Sequence, residues 1–179
     1  VFPGNHAGFY PDSKTLSMKL LFRESGEILG AQIVGFEGTD KRIDIISTAI
    51  RGHMTVNDLA ELELAYAPAF GSAKDAVNIA GYVAQNYLEG LVDFFYPEDI
   101  ESLQQMNGVF LDVRSPKEFE RGHLEGAVHI PVDNLRERMH ELDKAKPVYV
   151  YCGVGLRGYI AYRILKQNGF TVSNLAGGM

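Results

Sequence analysis

The chain has 179 residues, 46% of them hydrophobic and 22% charged, as in a globular protein of one domain or two small ones. A net charge of -6 gives no basic face for nucleic acid, and no apolar run is long enough to span a membrane. The single cysteine excludes an intrachain disulfide and suits a reducing cytoplasm, where we expect the protein to reside. Because the sequence begins at Val1 without an initiator methionine or signal peptide, we expect it to be part of a longer protein.

The first half predicts a hairpin followed by short helices. Residues 1–14 are rich in turn-forming residues and show no period. Apolar residues alternate over 16–22 and return over 28–36, which predicts two antiparallel strands. Residues 39–52 and 55–62 predict two helices, each capped by the threonine at its first position.

Residues 72–88 predict the longest helix of this half. Ser72 and Asp75 have the spacing of a capping signature. The apolar residues that follow have the helical period and predict one face in the core or at a subunit interface, formed by Ala76, Ile79, Ala80, Val83 and Tyr87.

The sequence YAPAFGSAKDAVNIAGY, residues 66–82, resembles the motif YAPPFSSAKDPVNMAGY. That motif belongs to the C-terminal dimerisation domain of the coenzyme A disulfide reductase group of flavin-dependent pyridine nucleotide disulfide oxidoreductases. The resemblance implies a partial dimerisation domain over residues 1–90 and a homodimer. It also implies that Tyr66 reaches across the dimer to the coenzyme A thiol site, joined by Tyr10 from a Y-P turn. The alternative for both residues is a packed aromatic side chain without chemistry.

The second half alternates strands with helices after a joint at residues 91–97. Five of the seven joint residues are large and apolar, which predicts a packed linker that fixes the distance between the halves. Strands are expected at 109–113, 127–130 and 148–151, separated by helices at 116–121 and 134–142. This order predicts a parallel sheet flanked by helices, with a ligand loop at the carboxyl end of a central strand.

The candidate chemistry lies in CGVGLRG, residues 152–158, between a strand and a helix expected from Tyr159 onward. Its glycines allow the main chain to curl so that N–H groups point inward and favour an anion at the helix N-terminus. Arg157 is the only charge in this stretch, with no acid to oppose it, so we expect a reactive thiolate. A buried, inert cysteine is the alternative. The candidate set is catalytic Cys152 and Arg157 with a persulfide-binding loop of Gly153, Val154, Gly155, Leu156 and Gly158.

Residues 152–157 resemble the C-x4-R loop of single-domain rhodaneses, and LDVRSPKEFERGHLEGAVHIP, residues 111–131, resembles the motif that precedes it in that family. The resemblance implies a sulfurtransferase in which Cys152 carries a sulfane sulfur as a persulfide. Phosphatases of the same fold have one more residue between cysteine and arginine, so a phosphatase is the disfavoured alternative. Val154 and Leu156 make the loop less cationic than one built for thiosulfate, so persulfides or polysulfide are the expected donors.

Together the two resemblances imply the C-terminal part of a coenzyme A disulfide reductase or NADH-dependent persulfide reductase fused to a rhodanese domain. The implied fold is α/β: a partial α+β dimerisation domain, then a rhodanese-like domain over 98–179 whose C-terminal end, 174–179, is expected to be truncated or disordered. FAD, NAD(P)H and coenzyme A are implied for the parent, and no cofactor is expected in this chain, which lacks a dinucleotide fingerprint. The implied substrates are persulfide, polysulfide or coenzyme A disulfide. The alternative is a non-catalytic dimerisation and docking module.

Other polar residues of the second half are assigned no chemistry. Asp112, Arg114 and Glu118 are expected to form a salt-linked support for neighbouring loops. His123 and His129 have no companions at metal-ligand spacing, so no metal site is predicted.

Overall fold

The structure is a computed structural model that describes residues 1–179. The chain divides into two compact units, Val1–Gly90 (unit 1) and Leu91–Met179 (unit 2). The segment predicted as a joint, 91–97, lies in unit 2, where Val92 and Phe95 are buried. None of the helices combines the length and apolar character that a membrane span requires.

Unit 1 is a hairpin packed against three helices. Its elements are β1 (Ser17–Phe22), β2 (Ile28–Val34), α1 (Thr39–Arg51), α2 (Val56–Glu61) and α3 (Ala76–Leu88). The strands pair antiparallel, with Met18 opposite Ile33, as the alternation predicts. The buried side of the hairpin packs on the helices to form one core that includes Leu16, Met18, Ile46, Leu59 and Val77.

The helix starts in unit 1 agree only in part with the sequence prediction. Thr55 caps α2, since its hydroxyl accepts the Asp58 N–H at 3.4 Å. Thr39 is instead the first residue of α1 and follows Gly38, whose φ of 71° makes the turn into the helix. For α3 the cap is Asp75 rather than Ser72, because the Asp75 carboxylate accepts the Val77 N–H.

Of the α3 face predicted to lie in the core or at a subunit interface, Ala76 and Ala80 are buried, whereas Val83 and Tyr87 are exposed in this chain. Helix α3 closely approaches α2 at Gly81. A side-chain carbon at Gly81 would lie 2.6 Å from the main-chain nitrogen of Ala60, so only glycine fits there. Ala80 and Ala84 of the same helix are buried in the core of unit 1.

A buried ion pair, which the sequence patterns do not indicate, joins three segments of unit 1. The side chains of Arg42 in α1 and Asp75 at the start of α3 are each 2% exposed and lie 2.6 Å apart, Nη2 to Oδ2. The remaining guanidinium donors bind the carbonyls of Gly38 at 3.0 Å and Asn5 at 2.7 Å. The buried charge therefore has both an opposite charge and hydrogen-bond partners.

Unit 2 is a five-stranded sheet flanked by helices. Its elements are β3 (Phe94–Phe95), α4 (Ile100–Gln104), β4 (Val109–Asp112), α5 (Pro116–Glu120), β5 (Val128–His129), α6 (Leu135–Arg138), β6 (Val148–Tyr151), α7 (Leu156–Gln167) and β7 (Val172–Leu175), with 3-10 turns at Pro97–Asp99, Val132–Asn134 and Met139–Glu141. Every strand pair is parallel, in the order β3-β7-β6-β4-β5. The predicted parallel sheet is confirmed, and β6 is its central strand.

Three local predictions in unit 2 are wrong. The helix expected at 134–142 is broken into two 3-10 turns around α6, and the Asn134 side chain makes no cap. Helix α7 starts at Leu156, three positions before Tyr159, so Arg157 is already helical. Of the two alternatives for the end, truncated or disordered, disorder is wrong, since β7 pairs with β6 and the Met179 N–H donates to the Cys152 carbonyl at 2.8 Å.

The Arg42–Asp75 pair predicts a large loss of stability when one partner is removed. In Arg42→Met the Asp75 carboxylate stays buried without a counter-charge, so the free energy of unfolding of unit 1 should fall by about 3–5 kcal/mol. Hydrogen exchange of the main-chain amides of α1 and α3 measures this loss. The control is Arg23→Met, whose partner Glu27 is largely exposed and which should change the value by less than about 1 kcal/mol. Equal effects of the two variants would contradict the assignment.

Candidate active site around Cys152

The site is built where a fully buried strand ends and a helix begins. All four residues of β6 are buried, and Cys152 follows at the carboxyl edge of the sheet. Gly155, with φ 94° and ψ -26°, precedes the first residue of α7. This left-handed conformation favours glycine and lets the chain reverse within residues 153–155.

The sulfur of Cys152 faces main-chain N–H groups. The N–H of Gly155 donates to Sγ at 3.2 Å, and the N–H of Gly158 donates at 3.3 Å. Both donors belong to the start of α7, where the helix dipole adds partial positive charge. The sulfur therefore lies at the positive end of the helix, with two N–H donors directed at it and no exposed surface.

Arg157 is not the unopposed cation expected from the loop sequence. Its Nη1 and Nη2 donate to the two carboxylate oxygens of Glu118, each at 2.7 Å. Glu118 lies 39 residues earlier, on α5. The prediction of an unopposed cation is wrong because it considered only the charges within the loop. These hydrogen bonds are the main cause that raises the pKa of Arg157, and the proximity of Cys152 raises it further.

The carboxylate of Glu118 also closes the first turn of α5. Its Oε2 accepts the Ser115 hydroxyl at 2.6 Å and the Ser115 N–H at 3.0 Å. Hydrogen bonds from Arg157 first, and then from Ser115, hold the pKa of Glu118 well below its ordinary range. Glu118 therefore links the capping box of α5 to the cysteine loop.

The expected cluster of Asp112, Arg114 and Glu118 is divided in two. Arg114 binds Asp112, with 2.7 Å between Nη2 and Oδ2, and its Nη2 also donates to the Gly122 carbonyl at 2.7 Å. Asp112 is fully buried, so this pair is a support for the turn after β4. Glu118 belongs instead to Arg157 and the loop.

Two of the three histidines of unit 2, His123 and His129, stack on one phenylalanine. The ring of Phe119 lies 3.7 Å from that of His123 and 4.3 Å from that of His129, nearly parallel to both. His129 Nε2 also lies 2.9 Å from the Arg114 carbonyl. No group of three or more potential ligands is arranged to hold a metal ion.

Two apolar side chains extend outward from the loop. Val154 is 55% exposed and Leu156 is 65% exposed. The outer surface of the loop is therefore apolar, and its one cation is paired with Glu118.

The candidate residues Tyr66 and Tyr10 lie in unit 1, about half exposed. Their loops are joined by a hydrogen bond from the Ala7 N–H to the Gly71 carbonyl at 3.0 Å. The rings of Tyr10 and His6 pack nearly perpendicular to each other, with their centroids 5.9 Å apart. Their proposed roles at a coenzyme A thiol site stay predictions.

Sequence reasoning missed the part that Glu118 takes in this site. Ser115-Pro-Lys-Glu118 has the sequence pattern of a capping box, which places Glu118 near the end of β4. The pattern does not indicate that Arg157, which follows another strand, is its partner. Contact with Arg157 requires β4 and β6 to be neighbours, which only the sheet order establishes.

Two protein-family models match the chain. Residues 2–77 match the pyridine nucleotide-disulphide oxidoreductase dimerisation domain, and residues 96–179 match the rhodanese-like domain. Coenzyme A disulfide reductases of Staphylococcus epidermidis and Staphylococcus aureus are 45% and 43% identical over 86 residues, which are 48% of this chain and 20% of theirs.

Two solved structures resemble nearly the whole chain. Reduced Bacillus anthracis CoADR-RHD is 44% identical with a TM-score of 0.96, and an NAD-dependent persulfide reductase from A. fulgidus is 40% identical with a TM-score of 0.89. Each alignment covers 99% of this chain and 32% of the relative. The chain therefore spans about a third of the length of these proteins.

The geometry at Glu118 predicts a low titration midpoint for its carboxyl group. Carbon-detected NMR should place it well below the ordinary value of 4.5, because hydrogen bonds from Arg157 and Ser115 stabilise the charged form. Since the folded pKa lies below the unfolded one, the pair stabilises the fold above the unfolded pKa. This contribution is lost as pH falls through the folded pKa.

Substitution of either of two arginines on α7 tests the cause of that shift. In Arg157→Met the midpoint of Glu118 should rise towards its ordinary value. In Arg163→Met, which removes a charge from the same helix without touching Glu118, the midpoint should not move. A low midpoint that survives in Arg157→Met would refute the pairing as its main cause.

Proposed function

We propose that Cys152 carries sulfane sulfur as a persulfide, on the premise that residues 96–179 match the rhodanese-like domain and residues 2–77 match the pyridine nucleotide-disulphide oxidoreductase dimerisation domain. The observation that carries the proposal is the pair of N–H donors, Gly155 and Gly158, directed at Sγ. A sulfur held in this way is stabilised as an anion both before and after it accepts a second sulfur.

The proposed first step is a displacement at sulfur. The Cys152 thiolate attacks the outer sulfur of a persulfide R–S–SH, and a new S–S bond forms as the donor S–S bond breaks. The electron pair of the broken bond leaves on R–S⁻, which takes a proton from solvent. Cys152 then bears S–SH, and an acceptor thiolate removes the outer sulfur by the same displacement.

Access to the sulfur requires the loop to move. Cys152 has no exposed surface, whereas Val154 and Leu156 extend into solvent. We infer that the donor displaces residues 153–156 outward, a movement that glycine at positions 153 and 155 makes easier.

The charge around the loop disfavours dianionic donors. Glu118 neutralises Arg157, and the outward side chains are apolar. A dianion such as thiosulfate would gain little attraction and would lose hydration next to Val154 and Leu156. Low-molecular-weight persulfides, and polysulfide in its singly charged form, therefore remain the proposed donors.

We further propose that the chain is the C-terminal portion of a flavin-dependent coenzyme A disulfide or persulfide reductase. The names of its relatives, coenzyme A disulfide reductase and NAD-dependent persulfide reductase, support this parent activity. The glycine-rich turn between β6 and α7 does not fit the pyrophosphate of FAD or NAD(P)H, because its N–H groups are directed at Sγ. Tyr66 and Tyr10 would serve the coenzyme A thiol side of the parent.

A homodimer through unit 1 is the proposed assembly. Unit 1 matches a dimerisation domain and exposes several large apolar side chains to a high degree, among them Phe9, Val34, Phe36 and Phe70. Burial of such residues is the main source of affinity in homodimer interfaces.

Mass analysis after exposure to glutathione persulfide tests the proposed chemistry. The wild-type chain should gain one sulfur atom on the peptide that contains Cys152, and dithiothreitol should remove it. Cys152→Ser should gain none. Wild-type protein without added sulfur, or a Cys152→Ser protein that supports the full sulfur chemistry of the parent, would favour the docking-module alternative.

Removal of the carboxylate beside Arg157 should change the donor preference. In Glu118→Gln the arginine loses its counter-charge, so sulfur loading from thiosulfate relative to glutathione persulfide should rise at least about fivefold, since one charge at about 4 Å is worth about 1 kcal/mol even in water. Glu120→Gln, an exposed position on the same helix, is the matched control and should leave the ratio unchanged. A wild-type chain that prefers thiosulfate, or an unchanged ratio in Glu118→Gln, would count against the charge argument.

A further inference from the structure

Asn174 in β7 lies beneath the cysteine loop with its side chain buried. The residue is 2% exposed, and its Nδ2 donates to the carbonyl of Gly155 at 3.3 Å. Its main-chain N–H donates to the Asp93 carbonyl at 2.8 Å, which fixes the strand from which the side chain extends. Nothing in the sequence marks Asn174 as part of the site.

The hydrogen bond from Asn174 to Gly155 acts on the first of the two N–H donors to Cys152 Sγ. Gly155 gives its N–H to Sγ, and its carbonyl accepts both Asn174 Nδ2 and the Tyr159 N–H, the latter at 2.8 Å. A glycine at φ 94° can rotate easily about both main-chain torsions. The two hydrogen bonds to the Gly155 carbonyl restrict this rotation. They therefore also restrict the direction in which the Gly155 N–H points.

The Oδ1 atom of Asn174 lies against Gly158, which supplies the second N–H donor to Sγ. A side-chain carbon at Gly158 would collide with Asn174 Oδ1 and lie 3.1 Å from its Cγ. Oδ1 is buried and has no hydrogen-bond partner. The reverse orientation of the amide would put Oδ1 against the Gly155 carbonyl, two acceptors facing each other, so the unpaired oxygen is the consequence of binding Gly155.

We propose that Asn174 is a positioning residue that directs both N–H donors at Cys152 Sγ. It holds Gly155 by a hydrogen bond and Gly158 by direct contact, and it does not touch the substrate. The consequence for sulfur transfer rests on the proposed function, whereas the positioning of the two N–H groups does not.

Hydrogen exchange of the Gly155 and Gly158 amides, followed by NMR on the reduced full chain, measures the positioning directly. In Asn174→Ala both amides should exchange at least tenfold faster than in wild type, while the amides of β6 stay protected. Asn174→Asp, which keeps the shape but replaces the donor by an acceptor, should accelerate Gly155 at least as much. The inference is overturned if Gly155 and Gly158 exchange at wild-type rates in Asn174→Ala.

Asn168→Ala is the matched control. Asn168 also donates its side-chain amide to a carbonyl of α7, that of Ile164 at 2.8 Å, but at the opposite end of the helix. This variant should leave the Gly155 and Gly158 amides unchanged. Equal acceleration in Asn168→Ala would mean that general loosening of α7 explains the effect, and it would overturn the inference.

A double variant separates positioning from mere packing. Gly158→Ala should displace Asn174 and accelerate exchange of Gly155, and in Gly158→Ala/Asn174→Ala the second change should add less than twofold. Fully multiplicative effects would show that the two residues act independently and would refute the inference.

Sulfur loading from glutathione persulfide gives the functional readout. Asn174→Ala should lower the rate constant of loading at least tenfold at an unchanged final amount of one sulfur per chain. A reduced amount at an unchanged rate constant would indicate partial unfolding and would count against positioning. If wild type takes up no sulfur, the proposed function fails, and the exchange measurements still decide the role of Asn174.

Discussion

The structure of unit 2 depends, at its functional end, on two main-chain N–H groups that share one sulfur atom. Their directions follow from a buried central strand, a left-handed glycine and the first turn of α7. Main-chain dipoles of this kind are fixed before any ligand arrives, so they stabilise charge without reorganisation. Helix α7 and its neighbouring strands therefore fix the positions of these two groups relative to the sulfur.

The charged side chains around the site are arranged to cancel rather than to accumulate. Arg157 is paired with Glu118, and Arg114 is paired with Asp112 at the turn after β4. A loop that relied on net positive charge would attract many anions of the cell. A loop that relies on directed N–H groups inside an apolar rim is expected to discriminate more by shape and hydrogen bonding than by net charge.

The sequence predicts features that arise from neighbours along the chain and misses those that arise across the fold. Local sequence patterns predict the strand before Cys152, the glycine-rich turn after it and the parallel sheet. The structure contains all three. The Glu118–Arg157 and Arg42–Asp75 pairs join positions 39 and 33 residues apart, and no local pattern connects them. Strand β3 was concealed within an apolar segment interpreted as a joint, since two residues are too few to show an alternation. The close approach of α2 and α3 at Gly81 likewise joins distant positions, and the periodicity of α3 alone does not predict it.

The enclosed charge pair of unit 1 also constrains how this protein can change over generations. Loss of either Arg42 or Asp75 leaves an uncompensated charge in the core, whereas joint replacement by apolar residues removes both charges at once. A homologue that has lost the arginine should therefore also have lost the aspartate, so that substitutions at these two distant positions are correlated.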